Sequence, residues 1–162
     1  MTERYDFIIS TIKEAGELLV SETEKDFEVS SKGGDSRNIL TEVDLTIDQF
    51  LKNKIKEKYP EEKIYSEEGG DIFTEGSIWS LDPIDGTSNF ARAIPHFAIV
   101  VAFVENGEAV VGAIFNPITR ELFSFEKGSG VFLNNKPIQT SDIKNIKDSY
   151  VLLHIGRKEN IQ

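Results

Sequence analysis

Cysteine is absent from the 162 residues, methionine and tryptophan occur once each, and histidine occurs twice. Without cysteine there is no disulfide, no thiolate metal site and no thiol nucleophile. His96 has no second histidine at ligand spacing, which excludes the paired-histidine metal motifs. No apolar run approaches the length that spans a bilayer and no secretory leader is visible, so a soluble cytoplasmic protein is the expectation. Positive charge is scarce as well: 18 lysines and arginines stand against 28 aspartates and glutamates, a formal net charge of −10. Such a surface repels nucleic acid and anionic membrane, and neither is an expected partner.

What is present is an ordinary globular composition, 39% hydrophobic and 28% charged. That suits one domain, which at this size buries about 70% of its unfolded surface. Ile8, Ile12, Ala15 and Leu19 recur at three- and four-residue spacing and predict an amphipathic helix over residues 1–25. Residues 27–38 contain Ser-Ser-Lys-Gly-Gly-Asp-Ser, a loop by composition. Val43, Ile47, Leu51 and Ile55 lie four apart and predict a second helix over 41–58, ended by Pro60. Short strands are expected at 63–65 and 78–81. Runs at 97–104 and 109–115 flank Glu105-Asn106-Gly107, a hairpin signal, and 121–125, 130–133 and 150–155 add further strands. The fold class is therefore α+β, with two N-terminal helices packed on a mostly antiparallel sheet.

The stretch WSLDPIDGTSNF, residues 79–90, carries the chemistry. Asp82 and Asp85 lie three apart around Pro83 and Ile84. Proline fixes its own backbone angle and pushes Asp82 toward an extended conformation, and Gly86 permits a bend that other residues resist. Carboxylates on such a turn are hard oxygen ligands for a divalent cation. Gly86-Thr87 opens a short helical segment over 88–91 whose backbone N–H groups can receive a phosphate. Any phosphate bound to so acidic a chain needs metal ions to supply positive charge. Upstream, Glu67 and Glu68 are adjacent, so only one points inward if the segment is extended. Thr41-x-x-Asp44 is by type a capping box that starts the second helix. The plain alternative is a turn whose aspartates cap and solvate it. That alternative explains neither the apolar run before the motif nor the acidic cluster upstream. Gly128-Ser129-Gly130 precedes a strand, not a helix, and reads as a structural turn.

The D-P-I-D-G-T string, with Trp79 before it and Asn89-Phe90 after it, resembles the inositol monophosphatase superfamily of Mg²⁺-dependent phosphatases. The resemblance covers the whole chain as the N-terminal part of that family's layered αβαβα fold. It implies hydrolysis of a small-molecule phosphate ester by a metal-activated water, with two or three Mg²⁺ ions in the complete site. By resemblance Glu67 and Asp82 bind the first ion together with the main-chain oxygen of Ile84, Asp82 bridges to a second ion, and Asp85 also holds that one. Asp85, Gly86 and Thr87 meet the phosphate. Thr87 holds the attacking water and Asp44 takes the proton, through the match of Leu40-Thr41-Glu42-Val43-Asp44 to the family's L-V-T-x-x-D segment. Glu67, in the family's G-E-E segment, completes the catalytic set, with Ser66 standing where the family usually has glycine. Glu68 is open between a supporting role and a solvated carboxylate. Lys32 is open between two readings: a match, across a loop one residue longer, to a family lysine that closes over the site, and a solvated loop lysine. His96 falls in a connecting I-P-x-F segment and is expected to be structural. Asn89 follows the D-G-T-x-N-F pattern, which points to an inositol phosphate, fructose 1,6-bisphosphate or another sugar phosphate.

Members of that family are usually longer and take a last metal ligand, an aspartate in W-D-x-x-A, from a C-terminal domain that nothing here matches. Residues 1–162 are accordingly expected to be the metal- and phosphate-binding domain alone. Hydrolysis by this chain is expected to be poor, with apolar surface exposed where the other domain packs. A homodimer, or assembly with a C-terminal half, is the expected state. The alternative is a catalytically silent fragment or subunit that keeps the fold for assembly.

Overall fold

The computed structural model describes residues 1–23, 29–31, 39–71 and 76–151. Helix α1 spans Glu3–Thr23 and buries Ile8, Ile12, Ala15 and Leu19, the stripe predicted from their spacing. Helix α2 spans Glu42–Lys58 and buries Val43, Ile47, Leu51 and Ile55. Between them, strand β1 (Val29–Ser31) pairs antiparallel with β2 (Ile39–Thr41) in a separate ribbon. The sequence predicts a loop over 27–38, assigns no element to 39–40 and starts the second helix at Thr41, so neither strand was expected. Three-residue strands held by each other's backbone leave little trace in composition, and Lys32 lies outside the described residues.

The remaining strands form one seven-stranded sheet in chain order. These are β3 (Lys63–Ser66), β4 (Ser77–Asp85), β5 (Ala98–Glu105), β6 (Glu108–Asn116), β7 (Glu121–Glu126), β8 (Gly130–Leu133) and β9 (Lys136–Pro137). Only β3 and β4 are parallel; every other pair is antiparallel. The β5–β6 hairpin turns on Asn106 and Gly107, with φ of 51° and 81°, the conformation that favours Asn-Gly in two-residue turns. Helix α3 is a single turn, Thr87–Phe90. Tyr150 and Val151 are not in a strand, and the rest of the strand expected over 150–155 lies outside the described residues.

α1 and α2 pack on each other and on the same face of the sheet, α1 over β5 and β6, α2 over β4. The core between them joins the helix stripes to Trp79, Leu81, Ile99, Val101, Phe103, Val111 and Leu122. A charged group borders this layer. Arg4 stacks its guanidinium 3.7 Å from the Phe103 ring centre and 4.5 Å from that of Tyr59. Both of its terminal nitrogens donate to Glu62 at 2.8 Å. The Trp79 indole N–H donates to the same carboxylate at 2.6 Å, so the charge is matched and the indole satisfied.

The opposite face carries Val100, Ile114, Phe123 and Leu133 in one cross-strand row. Ile114 is 46% exposed, Phe123 39% and Val131 47%. Among the described residues no helix covers this face, and no helix is long and apolar enough to cross a membrane.

Candidate active site

The parallel pair β3–β4 brings two carboxyl ends to one edge of the sheet, with Glu67 just past one and Asp82 to Asp85 forming the other. The crevice beyond such ends is where open sheets commonly bind ligands. In a regular strand Asp82 and Asp85, three apart, would point to opposite faces. The register prevents that. Asp82 pairs with Val100 and Asp85 with Ala98, so Pro83 and Ile84 of β4 together oppose the single residue Ile99 of β5. The extra residue is a bulge, and it returns Asp85 to the face that Asp82 occupies. Pro83 fits there because β4 lies between β3 and β5, where proline is tolerated essentially only at a bulge. Ile84 meanwhile buries its side chain in the core.

Chain direction then reverses at Gly86, with φ of 93°. A Cβ there would sit 3.0 Å from the His96 carbonyl oxygen and 3.3 Å from Phe97, so both conformation and space call for glycine. Thr87 follows at the start of α3. Its hydroxyl lies 2.9 Å from Asp44 Oδ1 and 2.9 Å from the Ile84 carbonyl. A hydroxyl has one proton, so it donates to one of these oxygens at a time.

Asp44 is 1% exposed and uses its two oxygens separately. Oδ2 accepts from the Thr41 backbone N–H at 2.8 Å and from the Thr41 hydroxyl, and the Asp44 N–H bonds back to Thr41 Oγ1. This is a complete capping box for α2. From sequence, Asp44 is a capping residue by type and a partner of Thr87 by resemblance; the geometry holds both the cap and the Thr87 contact.

The Asp82 carboxyl is pushed up to about 7, first by burial and then by the Glu67 and Asp85 carboxylates facing it. Glu67 also hydrogen-bonds Asp82, while the Ile84 N–H acts in the opposite direction. Mutually opposed carboxylates near the Ile84 carbonyl match in kind the hard-oxygen donor set of Mg²⁺. Among the described residues no three Asp, Glu or His side chains converge into a ready-made cage. The donor set therefore fits an ion that draws its ligands in as it binds.

A cavity of about 350 Å³ runs beside α2, between Lys52, Lys56, Gly69 and Asp71. A second, of about 550 Å³, leads from Asp85 and Gly86 past Asn89, His96 and Asn116 toward Ile114. Asn89 donates its side-chain amide to the His96 carbonyl at 2.7 Å, so it braces the turn. Gly128 and Gly130, with φ of 85° and 104°, form the turn into β8 away from this edge. The sequence reading does not single out Asp48, which touches Ser66 next to Glu67. Its four-residue spacing from Asp44 is the signal that marks it.

The model of the family described as the inositol monophosphatase family matches residues 1–162. The chain is 36% identical over 147 residues to the fructose-1,6-bisphosphatase/inositol-1-monophosphatase of Thermotoga maritima, covering 90% of this chain and 56% of that protein. It is 34% identical over 143 residues to the Nus factor SuhB of Vibrio cholerae, covering 86% and 53%. The solved structure of a Thermotoga maritima IMPase superposes with a TM-score of 0.80 at 35% identity, covering 87% of this chain and 55% of that one. The chain thus spans about half the length of the curated relatives it matches.

Proposed function

Because the chain belongs to the inositol monophosphatase family, we propose that it carries the cation- and phosphate-binding part of a phosphomonoesterase active site. The observation that carries this reading is the 2.9 Å contact of Thr87 Oγ1 with Asp44 Oδ1, beside the Glu67, Asp82 and Asp85 carboxylates. Mg²⁺ is the ion such oxygens suit. Glu67, Asp82 and the Ile84 carbonyl would hold one ion, and Asp82 with Asp85 would hold a second. Bound Mg²⁺ supplies Lewis-acid charge to the phosphate and lowers the pKa of a water. The protein's own step is a proton relay: the water gives its proton toward Thr87 Oγ1, whose own proton passes to Asp44 Oδ1. The backbone N–H groups at Gly86 and Thr87 face the phosphate. An inositol phosphate or sugar phosphate is the substrate class.

The open sheet face and the half-length match support a second reading. In it the chain keeps the fold but hydrolyses phosphate esters poorly by itself, and the apolar face is covered by a C-terminal half or a second chain. A role in assembly without catalysis, in line with a relative called a Nus factor, belongs to this reading. Two measurements test the pair. Mg²⁺ titration of the chain against Asp82→Asn is expected to show binding that the substitution removes; equal affinities would mean that the carboxylates do not form the site. Hydrolysis of inositol monophosphate with millimolar Mg²⁺ separates the readings, since turnover like that of a full-length relative rules out the second.

A further inference from the structure

α2 carries a second buried carboxylate one turn beyond Asp44. Asp48 is 6% exposed, unlike a solvated surface acid, and both of its oxygens are engaged. Oδ1 accepts from Ser66 Oγ at 2.5 Å and Oδ2 from Lys52 Nζ at 2.6 Å. Lys52 lies a further turn along and also donates to the Gly69 carbonyl at 2.5 Å. Ser66 closes the turn from its own side: its Oγ lies 3.4 Å from the Glu68 N–H, and its carbonyl accepts from the Gly69 N–H at 3.0 Å. Glu67 sits inside this frame, with Ser66 before it and Glu68 and Gly69 after it. Its own N–H is tied to the Leu81 carbonyl at 3.2 Å, one residue before Asp82.

One helix thus reaches both halves of the candidate site, Asp44 holding Thr87 and Asp48 with Lys52 holding the Glu67 turn. We infer that Asp48, Ser66 and Lys52 are positioning residues that fix Glu67 against the Asp82–Asp85 bulge and so set the affinity of the site for a divalent cation. This rests on reading Glu67, Asp82 and Asp85 as cation ligands. Ligands that do not form a closed cage must be gathered by the ion, and each pinned backbone segment removes part of the entropy lost in gathering them. Ser66 matters because a glycine there would offer Asp48 no hydroxyl, leaving a buried carboxylate oxygen unpaired.

The test is Mn²⁺ binding followed by electron paramagnetic resonance of the free ion, with melting temperature measured in parallel. Ser66→Ala and Lys52→Met are expected to weaken Mn²⁺ binding roughly 10-fold, the lower range for partners that orient metal ligands. Ser66→Thr keeps the hydroxyl and is expected to bind like the parent. Glu62→Gln, which loosens the Arg4 pair away from the site, is the control for stability: its melting temperature falls and its Mn²⁺ affinity stays. Unchanged affinity in both Ser66→Ala and Lys52→Met overturns the positioning role while leaving the cation site in place. Affinity losses that follow melting temperature equally in Glu62→Gln overturn it as well. If Asp82→Asn binds Mn²⁺ like the parent, the cation reading itself falls.

Discussion

Asp44 serves two neighbours with two oxygens, and substitutions can separate the services. Thr41→Ala removes the cap from α2 and leaves the Thr87 contact at Asp44 Oδ1. It is expected to cost about 1 kcal/mol in denaturant unfolding and to leave residual phosphate-ester hydrolysis nearly unchanged. Asp44→Asn keeps the shape, but its amide nitrogen cannot accept, so one service is lost whichever way the amide turns. Hydrolysis is expected to fall roughly 100-fold, the scale of losing a positioned base; a drop no larger than that of Thr41→Ala would reduce Asp44 to a capping residue. Gly86 presents the opposite case, a residue defined by what it lacks. With φ of 93° and the His96 carbonyl 3.0 Å from any added Cβ, Gly86→Ala is expected to cost about 1–3 kcal/mol. Its unfolding midpoint should drop accordingly, and a midpoint equal to the parent's would show that the turn has room to relax.

The elements were legible where a period carried them. The stripes of α1 and α2, and the β-rich runs of β5 to β7 with the Asn106-Gly107 turn signal, give helices and strands whose ends differ from expectation by a residue or two. The β1–β2 ribbon was not legible, because its pairing is a relation between two segments and each alone reads as loop. The bulge in β4 had a signal that sequence reading did not use: a proline inside an apolar strand run. The motif identified Asp82 and Asp85 but not how residues of odd spacing come to share a face. Between elements, Glu126 at the end of β7 holds the start of α1. It accepts from the Thr2 N–H at 2.8 Å and the Thr2 hydroxyl at 2.5 Å. The Thr2 hydroxyl foremost, then the Thr2 N–H and Ser129, hold its carboxyl below the usual value of 4.5, although burial, the second-largest influence, acts the other way. A lowered acid adds stability above its unfolded pKa and loses it as pH falls through the folded value. Thr2→Ala should therefore melt below the parent at neutral pH, and the gap should narrow as pH falls below the usual carboxylate range and Glu126 is protonated. A gap that persists in acid would assign the effect to packing.

At the scale of the whole molecule, helices cover only one face of the sheet among the described residues. α1 and α2 cover one face, while Ile114, Phe123 and Val131 present a contiguous apolar patch on the other. Burying a side chain of this size is worth roughly 1.5–3 kcal/mol, and a patch of several is a strong drive toward association. The same face carries Asp82 and, through the bulge, Asp85, so whatever covers it also walls the candidate site. The chain alone is expected to bind a hydrophobic dye and to associate more as its concentration rises. Ile114→Lys with Phe123→Lys should abolish both effects and leave the melting temperature within a few degrees, because neither side chain packs in the helix-covered core. If the parent shows no dye binding and a sharp melt independent of concentration, the face is already satisfied as it stands, and the need for a covering layer disappears. If the double variant instead unfolds, these residues hold the sheet together and the patch is part of its stability.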